Sequence, residues 1–182
     1  MDPAANMILR PLIMGIDPGL SGALAVVEWG SGEIIDMIDM PTFKKASKAR
    51  KQGYMEHLDV HALSSAIDLY APLTGLCVLE APGAMPEQGL SSTFRFGHIC
   101  GQIHGVLAGH YISVYPAKPE VWKGAMGLSY NKNESRAAAD QYFPGFEWLW
   151  QLSKHNDRAE AALLAIYGKR YLSKLFEICS RK

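Results

Sequence analysis

Two apolar runs joined by a tight turn, LIMGIDPGLSGALAVVEW over residues 12–29, constrain the fold of this chain more than any other feature. Short apolar runs bounded by Gly, Pro and Ser are typical of strands, which we predict at Leu12–Asp17 and Ser21–Trp29. A GSG turn leads into a third predicted strand, Glu33–Met40. Because such short connections join antiparallel neighbours, these residues predict an antiparallel meander.

The rest of the chain alternates between helical and strand patterns. The apolar run LCVLE, which ends at Glu80, is typical of a buried parallel strand, and a fifth strand is predicted at Tyr111–Pro116. Helices are predicted at 57–70, 90–110, 119–127, 133–143 and 156–176. This order predicts an α/β fold with a five-stranded mixed sheet, three antiparallel strands followed by two parallel additions, flanked by helices. We expect residues 1–10 to be a flexible lead-in and residues 11–182 to form a single domain.

The predicted helix over 90–110 carries glycine at every fourth position, at Gly97, Gly101, Gly105 and Gly109. These glycines share one helical face, and each costs about 1 kcal/mol relative to alanine. The pattern therefore predicts a close partner on that face, which is the sheet backbone or a second helix, in this chain or across a dimer.

Composition excludes several classes of protein. No apolar run reaches the roughly 18 residues of a membrane span, and the first residues lack a signal-peptide layout. Cys77, Cys100 and Cys179 are widely spaced, which argues against a disulfide or zinc framework and favours a reducing compartment.

The net charge is zero, but the charges are segregated along the chain. Residues 14–40 contain acids without a basic residue, whereas residues 42–52 contain basic residues without an acid. We predict a basic loop at 42–53 that is either solvated or a flap that contacts phosphates. Its candidate DNA-binding residues are Lys44, Lys45, Lys48, Arg50 and Lys51.

Four carboxylates lie at the ends of predicted elements. Asp17 ends the first strand and Glu80 ends the fourth, while Asp157 and Glu160 share one face at the start of the last helix. Each has a simpler explanation taken alone, such as a turn former or a favourable charge at a helix N-terminus. Together they favour a site for hard divalent cations, with two Mg²⁺ ions suited to phosphoryl displacement.

At this point the motifs resemble a known family. GIDPGLSGALAVV, VLEAPG, STFRFGHICGQIHGVL and HNDRAEAALLAIYG, in this order, resemble the RuvC family of Holliday-junction resolvases on the ribonuclease-H-like fold. The resemblance covers about residues 12–170, and SRAAADQYFP before the last motif is especially similar to the phage and chloroplast branches.

The resemblance implies a homodimeric endodeoxyribonuclease of recombination and repair that cuts two opposed strands of a four-way junction with two Mg²⁺ or Mn²⁺ ions. It implies that Asp17 bridges both ions, that Glu80 ligates one, and that Asp157 and Glu160 complete the site. By the same resemblance, Lys123 lies near the scissile phosphate, and Lys118 is a weaker candidate for that role.

The chain departs from the family in two places. Many bacterial members have Asp where this chain has Glu160, and they carry a base-stacking aromatic shortly after the fourth-strand glutamate. Here that segment reads APGAMPEQG, so Met85, Phe94 or Phe96 would take the aromatic's place, with Arg95 as a further DNA contact.

Other aromatic and imidazole side chains are assigned smaller roles. We expect Trp148 and Trp150 to be packing residues, and His155 could reach the acidic site. The rival functions are a nuclease acting on flaps or replication branches and a non-catalytic junction-binding protein. An actin-like ATPase is disfavoured, because 182 residues leave no room for its second domain.

Overall fold

The computed structural model describes residues 11–48, 51–83 and 89–180, apart from the side chain of Lys132. The predictions for residues 1–10, Arg50 and Met85 therefore lie outside the described residues. The strands are β1 (Leu12–Asp17), β2 (Ala23–Glu28), β3 (Ile34–Asp39), β4 (Thr42–Ala46), β5 (Tyr54–Leu58), β6 (Thr74–Glu80) and β7 (Val114–Ala117). The helices are α1 (Val60–Asp68), α2 (Leu90–Gly109), α3 (Pro119–Ala125), α4 (Lys132–Tyr142), α5 (Asn156–Tyr171) and α6 (Ser173–Cys179).

The main sheet has five strands in the order β3-β2-β1-β6-β7. The first three strands pair antiparallel, and β6 and β7 are added parallel to β1. The predicted meander, the mixed sheet and the parallel fourth strand are confirmed. Because helices cover both faces of the sheet, every residue of β1 is buried.

The side chains of the central strands alternate between two cores. Met14 and Ile16 of β1 pack with α1 and α2 on one face, and Ile13 packs with α5 on the other. On β6, Val78 belongs to the α5 core, whereas Leu79 belongs to the α2 core. By this alternation the last residues of β1 and β6 lie on the α5 face.

Helix α5 packs unusually closely on the sheet. A Cβ placed on Gly15 would lie 2.0 Å from the carbonyl oxygen of Ala161 and 2.5 Å from the amide nitrogen of Ala165. Contact between a strand backbone and a helix backbone requires small residues on both sides. Glycine at position 15 is therefore a condition of this packing.

The glycine stripe of α2 faces away from the sheet. A Cβ on Gly97, Gly101, Gly105 or Gly109 would meet no atom within 4 Å among the described residues. The buried face of α2 instead consists of Ile99, Ile103, Val106 and Leu107. The expectation that the sheet backbone approaches these glycines is wrong, and a second chain as the partner stays a prediction.

Strand β4, which covers the first five residues of the basic segment, forms a hairpin with β5 where a loop was expected. Strands β4 and β5 pair antiparallel, with Thr42 opposite Leu58 and Ala46 opposite Tyr54. The sequence pattern does not predict β4, because all five of its side chains are exposed and show no apolar alternation.

The bounds of α1, the last predicted helix and β7 differ most from the predictions. Helix α1 begins only at Val60, because the Asp59 side chain accepts a hydrogen bond from the Ala62 amide and caps it. The last predicted helix divides at Leu172 into α5 and α6. Strand β7 begins three residues late, after Tyr111 with its positive φ of 57°.

Among the described residues, no helix combines the length and the apolar character that a membrane span requires. Cys77, Cys100 and Cys179 are free thiols.

Candidate active site

Asp17 and Glu80 lie side by side at one edge of the sheet. The parallel register of β1 and β6 pairs Ile16 with Leu79, so the next position of each strand is an acid. Both carboxylates end their strands on the α5 face, and both are buried with 9% of their surface exposed. The predicted proximity of the two strand ends follows from this register.

The first turns of α5 add the other two acids. Asp157 is half-buried in the first turn, and Glu160 one turn later is buried. Because α5 packs directly on β1, the charges of Asp157 and Glu160 both act on Asp17. The structure thus brings together all four acids that the sequence singled out.

Burial and mutual repulsion disturb the ionisation of this acidic cluster, which we define as Asp17, Glu80, Asp157 and Glu160. Burial raises the pKa of Asp17 well above its usual range, and the charges of the other three acids raise it further. Burial also raises the pKa of Glu80, while a hydrogen bond from Trp122 opposes the shift. A cation bound among these oxygens would relieve both effects.

Helix α3 supplies two donors to the cluster from neighbouring positions. The indole N–H of Trp122 donates to Glu80 Oε1 at 2.9 Å, and Lys123 Nζ lies 2.6 Å from Glu160 Oε1. Both side chains are buried, Trp122 completely. Lys123 is therefore the ion-pair partner of Glu160, and its position near the scissile phosphate stays a prediction.

Two serines also donate hydrogen bonds to the acidic cluster. Ser135 on α4, fully buried, donates to Glu160 Oε1 at 2.9 Å, and Ser21 of the β1–β2 turn donates to Asp157 Oδ2 at 2.9 Å. Sequence reasoning did not single out Ser21, Trp122 or Ser135. The sequence offers one indication of a site role for Trp122, since it is adjacent to Lys123 in PEVWK. A buried indole N–H at that position needs a hydrogen-bond acceptor.

The donor set fits a hard divalent cation, because it consists of carboxylate oxygens. Among the described residues, however, no three His, Cys, Asp or Glu side chains are arranged closely enough to hold a metal ion as they stand. The chemistry of the site supports metal binding, and its present geometry does not by itself define a metal centre.

The predicted DNA contacts on the hairpin are exposed. Lys44, Lys45, Lys48 and Lys51 all reach solvent, and the ammonium of Lys44 lies 4.5 Å from the ring centroid of Tyr54. Lys118 is exposed directly before α3.

The first turns of α2 carry the other predicted contacts. Phe94 is 79% exposed, and Phe96 is half-buried. Arg95 donates to the carbonyl oxygen of Glu56 and so ties α2 to the hairpin. A groove of about 460 Å³ between the β1–β2 turn and α2 is lined by Ser21, Arg95 and Phe96.

The remaining predictions have mixed outcomes. Trp150 is a buried packing residue as expected, but Trp148 is 64% exposed, so its predicted packing role is wrong. His155 lies close to Asp39 and Arg158, which form an ion pair at 2.5 Å. Burial lowers the pKa of His155, and the positive charge of Arg158 lowers it further.

Two solved structures of RuvC from Thermus thermophilus share this fold. One, in complex with a Holliday junction substrate, is 16% identical over 88% of this chain and 96% of that chain, with a TM-score of 0.58. The other is 16% identical over 87% and 95%, with a TM-score of 0.51. No family model matches the sequence. No curated protein matches it either. The chain therefore has a RuvC-like fold of the ribonuclease-H-like class.

Proposed function

We propose that this chain is a divalent-metal-dependent endodeoxyribonuclease that resolves four-way DNA junctions by cutting two opposed strands as a homodimer. The observation that carries the proposal is the acidic cluster, gathered from β1, β6 and α5 on one edge of a RuvC-like sheet. One of the structures with this fold is described as RuvC in complex with a Holliday junction substrate.

Asp17, Glu80, Asp157 and Glu160 are the residues that would hold Mg²⁺ or Mn²⁺. When bound, two such ions stabilise the attacking and leaving oxygens of an in-line phosphodiester displacement. Asp17 is central to this assignment, since the charges of the other three acids and of Lys123 all act on it. The expected products carry 5′-phosphate and 3′-hydroxyl ends.

The chain's own residues prepare the site for a phosphodiester. Trp122 and Ser135 fix the carboxylates of Glu80 and Glu160, each through a hydrogen bond of 2.9 Å. Lys123 is a basic group beside the acidic cluster, and its ammonium, buried next to Glu160, is suited to balancing phosphate charge.

The wider substrate contacts follow the exposed basic surface. We assign phosphate contacts to the basic residues Lys44, Lys45, Lys48, Arg50, Lys51, Arg95 and Lys118, and base contacts to Met85, Phe94 or Phe96. The sequence pattern favours membership of the phage or chloroplast branches of the resolvases, in a cytoplasmic, nucleoid or organellar compartment.

The test is cleavage of labelled DNA in three forms, a four-way junction, a linear duplex and a flap, each with and without Mg²⁺. We expect symmetrical cutting of the junction only with Mg²⁺, and little cutting of the other two. Equal cutting of all three forms, or an intact junction, would contradict the proposal. Preferential cutting of the flap would instead favour a nuclease of replication branches.

A substitution separates binding from chemistry. Glu80→Gln keeps an oxygen to accept the Trp122 hydrogen bond but loses the charge, so we expect it to bind the junction in a gel-shift assay and fail to cut it. Glu177→Gln is the matched control, because Glu177 is exposed on α6. Cutting retained by Glu80→Gln would show that the site is misassigned.

A further inference from the structure

Tyr130 is an exposed aromatic residue that lies beside the acidic cluster. Its ring centroid is 5.8 Å from Lys123 Nζ, and that ammonium lies 2.6 Å from Glu160 Oε1. Nevertheless 63% of Tyr130 is exposed. A large aromatic surface thus remains open to solvent next to the groups that would act on a phosphodiester.

The loop that carries Tyr130 is held firmly on both sides. The Leu128 amide donates to the Lys123 carbonyl oxygen at 2.8 Å, and the Ser129 amide donates to Glu134 Oε2 at 3.0 Å. The Asn131 amide in turn donates to Ser129 Oγ at 3.0 Å. The ring is therefore presented from fixed backbone between α3 and α4.

Isolated exposed tyrosines are common on protein surfaces, so exposure alone assigns no function to Tyr130. The evidence for a function is its position beside the acidic cluster. Tyr111 is a useful contrast, since it is 96% exposed at the opposite end of the sheet, before β7 begins. Tyr130 differs from it by its contact with Lys123, which connects the ring to the acidic cluster. A cation near the ring and an exposed ring surface suit a nucleotide, with its phosphate at the ammonium and its base on the ring.

We propose that Tyr130 is a stacking platform for a nucleobase next to the scissile phosphate. The inference rests on the proposed nuclease function and adds a subsite to it. The ligand is an unpaired or splayed base near the branch point, because a base held inside a duplex cannot present its face to a side chain. Stacking depends on the ring and not on the hydroxyl, so phenylalanine must replace tyrosine without loss.

The experiment measures binding separately from cutting. Four-way junctions that carry 2-aminopurine at successive positions around the branch point are titrated with protein, with Ca²⁺ in place of Mg²⁺ to prevent hydrolysis. Stacking on an aromatic ring quenches this fluorophore, and fluorescence anisotropy gives the Kd. The variants are Tyr130→Ala, Tyr130→Phe and, as the matched control, Tyr111→Ala, each checked for an unchanged melting temperature.

We expect quenching at one or two positions with the wild-type chain, its loss in Tyr130→Ala, and about tenfold weaker binding, the scale of one stacked base. Tyr130→Phe and Tyr111→Ala should behave as the wild type does. Unchanged quenching in Tyr130→Ala would overturn the inference, as would a loss in Tyr130→Phe equal to that in Tyr130→Ala, which would indicate a hydroxyl contact to phosphate.

The same samples distinguish failure of the subsite from failure of the proposed function. Cutting in Mg²⁺ with no effect of Tyr130→Ala would reject the subsite alone. Quenching that depends on Tyr130, without cutting by the wild-type chain, would reject the nuclease and keep the subsite. A chain that binds no junction would reject both.

Discussion

The two longest helices, α2 and α5, cover opposite faces of the same sheet and use small residues in opposite ways. In α5 the small residues are buried against the strands, and Gly15 of β1 lets the two backbones meet. In α2 the glycines face outward, and the branched side chains of Ile99 and Ile103 pack on the sheet.

This difference has a consequence for the site. A helix whose backbone contacts the strand has little freedom to shift, so α5 places Glu160 beside Asp17 within narrow limits. A helix that rests on large side chains lies farther from the sheet, and the first turns of α2 contribute no residue to the acidic cluster. Small residues in a helix thus indicate close packing on the sheet only if they lie on the face that contacts the sheet.

The first test compares an acid of α5 with a histidine of α2, and its expected effect is the largest. Glu160→Gln should slow junction cutting by at least about 1,000-fold, on the scale of removing a group that acts at the reacting centre. His104→Gln on the exposed side of α2 should cut at the wild-type rate. Single-turnover kinetics measure both, and comparable rates for the two variants would contradict the different roles of the helices.

The second test breaks the close contact of α5. Gly15→Ala places a methyl group 2.0 Å from a backbone oxygen of α5, which cannot rotate away. We expect the free energy of unfolding in urea to fall by at least about 3 kcal/mol. A wild-type unfolding midpoint would mean that α5 can move away from β1 at little cost.

The third test concerns Trp122, whose ring is buried in the core that α5 shares. Trp122→Phe keeps most of the packing and removes the donor to Glu80, so we expect cutting to slow about tenfold, in the range of lost orienting contacts. Trp150→Phe is the matched control, because its indole N–H donates to Asp140 at 2.8 Å, in a contact that includes none of the four acids. Equal rates for both variants would show that the Trp122 hydrogen bond serves folding alone.

The fourth test uses pH. Burial raises the pKa of Asp17, so the folded chain holds this proton more tightly than the unfolded chain does. The free energy of unfolding must therefore fall as pH rises through the raised pKa. Without divalent metal, Asp17→Asn should gain about 1–2 kcal/mol over the wild type at pH 8 and lose this gain toward pH 4.

Asp39 is the control for the pH test, because its contribution to the free energy of unfolding changes with pH in the opposite direction. Its hydrogen bond with Arg158 lowers the pKa of the Asp39 carboxyl, so the stability contributed by the pair is lost as pH falls. Asp39→Asn should therefore cost more at pH 8 than at pH 4. Melting curves of both variants that share one direction would contradict the charge environment described for Asp17.

The smallest effect lies on the exposed face of α2. A Cβ on Gly101 meets no described atom within 4 Å, so Gly101→Ala should raise the free energy of unfolding by roughly 0.5–1 kcal/mol. Thermal unfolding at low protein concentration measures this gain. A loss that appears only at high protein concentration would indicate that the glycine face contacts a second chain.

Features with a local cause were predictable from sequence. The meander of β1, β2 and β3 follows from apolar runs and tight turns, and the parallel strand β6 follows from its continuous apolar run. The membership of the acidic cluster was also predictable, because each acid stands at the end of an element. The hairpin of β4 and β5 was not, since its exposed residues carry no apolar alternation.

The sequence by itself determined which residues end the central strands and begin α5, because turn residues, apolar periodicity and helix spacing act over a few neighbours. Only the tertiary structure decided what these residues meet. The hydrogen bond from Trp122 to Glu80 and the ion pair of Lys123 with Glu160 join elements that are distant in sequence. The outward orientation of the α2 glycines likewise depends on which face of α2 packs on the sheet. Such contacts depend on how closely two surfaces approach, and that distance is set by the packing of the whole core.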